Sequence, residues 1–203
     1  LLKKKIIGNL ISMESFFGQD ALGGKKIFGF RFKKPSTSNR LYNKELGGGA
    51  ILDLGCYPVS FSALIASIIP GFDYNKIEIL NVKKEIGTTG VDMHSFAEIN
   101  FKNNFKSVVG VSLTKHLGKT SKIVGTEGQL IIKDTWTPKN LSTIQVLGKN
   151  EKLIEVKCYE NIYTYEIENI SQCILDNKKE SNFPGVSLNE TLENTRILDK
   201  WLE

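Results

Sequence analysis

Neither standard nucleotide fingerprint occurs in this chain. No G-x-G-x-x-G follows a strand-like run and no G-x-x-x-x-G-K-[ST] is present, so no segment is built to lay a pyrophosphate on a helix N-terminus. Histidine is scarce as well. His94 and His116 are too few and too isolated for a histidine-rich metal site or an obvious triad, and each reads as an ordinary strand or turn residue. Cys56, Cys158 and Cys173 are odd in number and widely spaced, which argues against a disulfide framework and a CxxC metal site and fits a reducing cytoplasm. No run approaches the ~18 apolar residues of a membrane span, and the opening Leu-Leu-Lys-Lys-Lys lacks the apolar stretch of a signal peptide. The expectation is a cytoplasmic protein with no membrane partner and no metal. Apart from Lys3-Lys4-Lys5, clustered positive charge is missing too. The net charge is +5, yet lysine pairs such as Lys33-Lys34, Lys83-Lys84 and Lys178-Lys179 are scattered with acidic residues between them. That pattern describes a solvated surface and argues against a nucleic-acid partner.

What is present is the composition of a folded domain. Hydrophobic residues make up 40% of the 203 and charged residues 24%, far from the polar balance of disordered chains, and the length fits one core. The first residue is Leu1, with the apolar pair Ile6-Ile7 close behind, which reads as an internal point of a longer gene product.

Along the chain, Gly8 to Phe17 mixes β-branched and aromatic residues with polar ones and stops at Gly18, as a strand does. Pro35 to Asn39 and the run Gly47-Gly48-Gly49 predict an irregular, functional loop. The apolar stretch Ala50 to Ile69, ended by Pro70-Gly71, is long enough to favour a buried helix. Pro58 inside it removes a backbone donor and predicts a kink between Leu54 and Pro58. From Lys76 to about Val156 the pattern is that of strands. Ala97, Ile99 and Phe101 alternate with polar neighbours, and Asn103-Asn104 supplies a turn before Lys106 to Thr114. A second hairpin is expected in Lys119 to Lys133 and a third joining Thr143–Leu147 to Leu153–Val156. Two closing helices are expected. One carries Ile167, Ile170, Ile174 and Leu175 at helical spacing; the other opens on the capping pair Ser187 and Glu190 and continues as the stripe Leu188, Leu192, Thr195, Leu198 and Leu202. The fold class is therefore α+β, with an open-faced, predominantly antiparallel sheet and helices packed on one face.

The segment with chemical content is Gly47 to Tyr57, GGGAILDLGCY. On a continuous helix the i, i+4 spacing of Asp53 and Tyr57 puts a carboxylate and a phenol on one face, just after glycines (Gly48, Gly49) that let a ligand approach closely. The same spacing also suits a buried helix whose Asp caps a loop and whose Tyr packs with its hydroxyl satisfied. Arg40, just before the glycines, is either a contact on the rim of a substrate or cofactor site or an exposed loop arginine. Cys56 and the tryptophans Trp136 and Trp201 read as packing residues.

The stretch GGGAILDLGCYPVS resembles the signature of the substrate domain in the Gfo/Idh/MocA family of oxidoreductases. IVGTEGQLII at Ile123 to Ile132 and the closing YEIENISQCIL and SLNETLENTRILDKW are similar to that family in the same order. The resemblance implies that residues 1–203 are a C-terminal substrate-binding and oligomerisation domain with the fold of the glyceraldehyde-3-phosphate dehydrogenase C-terminal domain. It implies a preceding Rossmann domain, outside this chain, holding NAD or NADP; none is expected to bind to this chain alone. It implies a polyol, sugar or diol substrate and a homodimer or homotetramer formed through the sheet face. The family's catalytic lysine sits in a Glu-Lys-Pro motif that these residues lack, so the isolated chain is expected to be inactive. By resemblance Asp53 and Tyr57 match the remaining catalytic pair. A phenol has a pKa of about 10 and needs a cation beside it to act as a base at neutral pH. The alternative reading is a noncatalytic ligand-binding or oligomerisation module derived from the same fold.

Overall fold

The computed structural model describes residues 1–24, 26–27, 30–31, 33–149, 151–181 and 183–203. Strand β1 (Leu10–Gly18) leads to the short pair β2 (Lys26–Ile27) and β3 (Phe30–Arg31), then to helices α1 (Ala50–Leu54) and α2 (Cys56–Ala66). Seven strands follow: β4 (Glu78–Ile86), β5 (Asp92–Asn100), β6 (Lys106–Ser112), β7 (Ser121–Gly125), β8 (Gly128–Ile132), β9 (Leu141–Gly148) and β10 (Lys152–Lys157). Helices α3 (Ile162–Leu175) and α4 (Leu188–Leu202) close the chain.

Apart from the β2–β3 pair, the strands form one eight-stranded sheet in the order β10-β9-β8-β7-β1-β6-β5-β4. Every neighbouring pair is antiparallel except β1 and β6, which run parallel from Ser12↔Lys106 to Gly18↔Ser112. The three hairpins expected from alternation and turn residues are β5–β6, β7–β8 and β9–β10. In the β5–β6 turn, Asn104 takes the left-handed conformation that asparagine tolerates.

One face of the sheet is covered. Met13, Phe17, Ala97, Ile99, Val109, Val111, Ile123, Leu130 and Val146 are buried there, and α1, α2 and α4 pack on the part of that face formed by β1, β4, β5 and β6. The other face carries the alternate residues, including Glu14, Phe16, Phe96, Val108, Lys122 and Ile131. Val109, Val111 and Leu113 are fully buried in the core; their neighbour Val108 is on the open side. At the centre of that side Gly110 lies under two phenyl rings. A Cβ built there would stand 2.3 Å from the Phe96 ring and 2.9 Å from Phe16, and the two rings meet edge to face at 5.8 Å.

The closing helices are rotated from the faces their apolar spacing suggests. In α4 the capping box forms as expected, Ser187 and Glu190 each bonding the other's backbone N–H. Its buried face is Asn194, Ile197, Leu198 and Trp201, while Leu188 and Leu192 are exposed. Trp201 fixes the rotation: its indole N–H donates to Ser95 Oγ at 2.9 Å from full burial. Lys200 Nζ and Lys84 Nζ bond the Ile77 and Leu202 carbonyls across the β4 edge. In α3 the stripe Ile167, Ile170, Ile174 and Leu175 is exposed; Cys173 is the buried residue of the helix.

The long apolar helix expected over Ala50 to Ile69 breaks at Gly55. The axis bends by 46° between Lys44–Leu54 and Cys56–Ala66, because Pro58 leaves the Leu54 carbonyl without its helical donor. No single helix is long and apolar enough to cross a membrane among the described residues. The start of α1 is held from the sheet. Asp92 Oδ2, at the beginning of β5, accepts the Ile51 N–H at 2.8 Å, satisfying a donor that a helix N-terminus leaves open. Gly49 makes this possible. Its φ is +117°, and a Cβ there would stand 2.2 Å from Asp92 Oδ1.

Burial pushes the Asp92 carboxyl above its ordinary value, opposed by the backbone N–H groups of Ile51, Asp92 and Ala50. The folded chain therefore holds the Asp92 proton more tightly than the unfolded chain. That contribution to stability is present at low pH and is lost as pH rises through the raised pKa. Two variants separate cap from charge. Asp92→Ala lowers unfolding stability by about 1–2 kcal/mol through loss of the cap. Asp92→Asn keeps an acceptor, retains most of the stability and removes the Asp92 component of the acid-side pH dependence. Urea titrations of the three proteins from pH 3 to 7 measure both effects; equal midpoints for Asp92→Ala and wild type would rule out the anchor.

Candidate active site

Asp53 and Tyr57 lie on either side of the Gly55 break. Because Gly55 itself has right-handed helical angles, the bend leaves the two side chains in electrostatic reach, and the Asp53 charge bears on the Tyr57 phenol. Asp53 is engaged by Arg40, whose Nη2 donates to Asp53 Oδ1 at 2.6 Å. Arg40 opens a short 3-10 turn, Arg40–Tyr42, capped by Asn39. Its side chain is 58% exposed and that of Asp53 18%, so the pair orients the carboxylate more than it stabilises the fold. Asp53 Oδ2 accepts no hydrogen bond among the described residues.

Gly48 and Gly49 let the chain pack closely on itself. A Cβ on Gly48 would lie 2.6 Å from the Arg40 carbonyl oxygen and 2.7 Å from that of Asn43, and the Gly49 position is filled by Asp92. The glycine run thus allows the 3-10 turns, α1 and β5 to close on one another. In the Cβ direction of those two positions the space is taken by backbone and a carboxylate.

Tyr57 is 43% exposed, and its hydroxyl has no hydrogen-bond partner among the described residues. The ring stands in an aromatic wall: Phe17 meets it edge-on at 5.1 Å and Trp136 at 5.8 Å, with Phe61 against Trp136 at 5.9 Å. Phe17 and Trp136 are themselves stacked at 6.0 Å. The Trp136 indole is pinned by donation to the Phe16 carbonyl at 2.8 Å. Trp136, taken from the sequence as a packing residue, is therefore part of the wall beside Tyr57. The wall joins the end of β1, the segment after β8 and α2, and no sequence spacing connects those places.

Partial burial raises the Tyr57 pKa above its usual 10, and Cys56, Tyr163, Asp53 and Glu166 raise it further. No cation offsets them among the described residues. At neutral pH the phenol keeps its proton and is a hydrogen-bond donor and acid, not a base. Cys56, next to it, has its thiol pushed up by burial, with the Asp53 charge adding to the rise. Among the described residues no group of three or more His, Cys, Asp or Glu side chains could hold a metal ion.

Residues 1–131 match the family model described as the GFO/IDH/MocA C-terminal domain. The chain is 29% identical over 200 residues to the trans-1,2-dihydrobenzene-1,2-diol dehydrogenase of Xenopus laevis, covering 94% of this chain and 57% of that protein. It is 25% identical over 189 residues to the human enzyme of the same name, covering 89% and 53%. The chain thus spans about half the length of the curated relatives it matches. Among solved structures, a 3-ketoreductase from Actinomadura kijaniata in complex with NADP and TDP-benzene superposes with a TM-score of 0.76 at 15% identity, over 98% of this chain and 55% of that one. An aldose-aldose oxidoreductase from Caulobacter crescentus complexed with glycerol gives 0.71 at 13% identity, over 100% and 55%. At such identities the likeness is one of fold.

The electrostatics predict that Tyr57 ionises above pH 10 in this chain. A 295-nm absorbance titration of wild type minus Tyr57→Phe isolates it from the other phenols, among them Tyr74, which burial and then the charges of Glu190 and Glu193 push up to about 12. A difference signal titrating below pH 10 would mean that a cation reaches the phenol.

Proposed function

The chain belongs to the GFO/IDH/MocA family, and from that premise we propose that it is the substrate-binding half of an NAD(P)-dependent oxidoreductase acting on a diol, sugar or polyol. The observation that carries this reading is Tyr57: a protonated phenol, without a hydrogen-bond partner among the described residues, at the edge of an aromatic wall and one turn from a carboxylate that is already oriented by Arg40. The nicotinamide, when bound by the other half of the enzyme, supplies or receives the hydride.

The chain's own residues handle binding and the proton. Phe17 and Trp136 offer flat apolar surface to a ring or to the C–H face of a sugar. Of two adjacent substrate oxygens, one meets Tyr57 Oη and the other donates its hydroxyl hydrogen to Asp53 Oδ2. In carbonyl reduction Tyr57 gives its proton to the oxygen as the carbon gains hydride. In alcohol oxidation it must take that proton, which a phenol with a raised pKa does poorly at neutral pH. The oxidative direction therefore calls for a cation from outside this chain, the role that the resemblance gives to a lysine of the missing half. The diol dehydrogenase names of the curated relatives support the diol reading, and the neighbour crystallised with NADP supports the cofactor class.

The same reading includes assembly through the open face of the sheet. Phe16, Phe96, Val108 and Ile131 form apolar ground there, and Glu14 stands opposite Lys122 across β1 and β7, a pairing that a twofold axis can reuse.

Two experiments test these statements. In the enzyme carrying both halves, Tyr57→Phe lowers kcat on the order of a hundredfold and leaves the NADPH dissociation constant unchanged; wild-type turnover in that variant would return Tyr57 to a packing role. For assembly, light scattering behind size-exclusion chromatography yields a dimer or tetramer at micromolar concentration. Val108→Glu, which sets a third carboxylate between Glu14 and Glu98, yields a monomer. A monomeric wild type would dismiss the sheet interface.

A further inference from the structure

Three turns meet where α2 ends. Pro70 and Gly71 carry the chain away from the helix, with Gly71 at φ +83°. Asn104, at φ +66°, turns β5 into β6, while Lys5 and Gly8, at φ +49° and +76°, bring the N-terminal segment onto β1. Between them lies a pocket of about 290 Å³, the size at which small-molecule sites begin. Its apolar lining comes from two places in the chain: Leu2 and Leu10 around the start of β1, and Ile68, Ile69 and Pro70 beyond α2.

The pocket is separate from the candidate active site. It has no lining residue in common with the groove beside Cys56, Tyr57 and Asn194, and α2 rises roughly 14 Å between Tyr57 and Ala66.

Asn103, only 8% exposed, is the buried polar residue of the lining. Its Nδ2 donates to the Ala66 carbonyl at 3.2 Å, satisfying one of the acceptors that the end of a helix leaves open. That bond commits one end of the amide to α2. The other end, Oδ1, is buried and has no hydrogen-bond partner among the described residues. An acceptor left so costs the free energy of its lost hydration, so capping α2 accounts for half of this side chain only. Because Oδ1 accepts and cannot donate, what satisfies it must carry an O–H or N–H. Nearer the rim, Asn9 and Asn104 are exposed and offer amides that both donate and accept. Among the described residues Lys5 is the one charged side chain of the lining, and it too is exposed. The carbonyls that end α2 carry partial negative charge, which offsets it, so no fixed charge here selects an ion.

We propose that this pocket is a second small-molecule site, which takes a neutral ring compound with a hydroxyl or N–H at its inner end. The ring lies against Leu10, Ile68 and Ile69, and the inner group donates to Asn103 Oδ1. A compact body is called for because the apolar residues come from two separate segments, which a single ring can touch at once in so small a space. The inference stands apart from the functional reading above, since it uses neither Tyr57 nor a second half of the enzyme.

Two probes of one shape test the site. 4-Fluorophenol carries the donor, and 4-fluoroanisole is the same ring with that oxygen methylated. Both are titrated into the chain at pH 7 and followed by fluorine NMR, with backbone amide shifts locating the ligand. 4-Fluorophenol binds with a dissociation constant of about 1 mM and shifts amides of residues 2–10, 68–70 and 103–104. 4-Fluoroanisole binds about fivefold more weakly or worse, because it leaves Oδ1 unpaired. Asn103→Leu removes that preference, so that the two probes bind alike. Since this variant also loses the bond to Ala66, Ile68→Trp is the second test: it fills the pocket from its rim, leaves Asn103 in place and weakens 4-fluorophenol about fivefold or more. Circular dichroism checks that each variant is folded. Equal affinity of the two probes for the wild-type chain would overturn the proposal. So would undiminished binding to Ile68→Trp, or shifts that centre on Cys56 and Tyr57 or scatter over the surface.

Discussion

A single carboxylate at the start of β5 fixes the helical layer to the sheet. By accepting the Ile51 N–H, Asp92 decides where α1 begins, and the absence of a side chain on Gly49 lets that bond form at close range. Asp53 then follows one turn into α1 where Arg40 can reach it, and Tyr57 follows across the Gly55 bend. The bend lays α2 along the sheet, where buried Ser62 bonds the Ser107 hydroxyl of β6 at 2.7 Å. The cost is a desolvated acid, which the raised Asp92 pKa records. Moving the anchor would misplace the carboxylate, the phenol and the helix together.

The sheet supplies the rest of the site through its one parallel junction. Because β1 enters between β6 and β7, its end stands beside both α2 and the segment that follows β8. Phe17 and Trp136, separated by most of the sheet in sequence, thereby meet around Tyr57. The hairpins are local structures, but the wall they complete is not.

That difference explains what could be read from the sequence. Alternating apolar residues with Asn103-Asn104 between them specify a hairpin because turn and pleat are both local, and the Ser187–Glu190 capping box is local too. Asp92 is a polar residue in a strand, a small anomaly whose meaning depends on a donor 41 positions away. At the glycines the sequence shows that something comes close, and only the fold shows that Asp92 and the Arg40 and Asn43 carbonyls do. Helical spacing was least informative for α3 and α4, since periodicity shows that a face is apolar and not what it faces. In α4 the Trp201–Ser95 bond selects the face, and in α3 the marked face is turned to water.

Phe16 belongs to both surfaces of the sheet at once. Its ring lies on the open side against Phe96, while its carbonyl holds the Trp136 indole in the wall beside Tyr57. A protein seldom has a shorter wire between two sites than one residue's side chain and backbone. By thermodynamic reciprocity, the factor by which a ligand ordering Trp136 changes burial of Phe16 equals the factor by which burial of Phe16 changes affinity for that ligand. Subunit pairing and substrate affinity, if each takes its side of this residue, are two readings of one free energy.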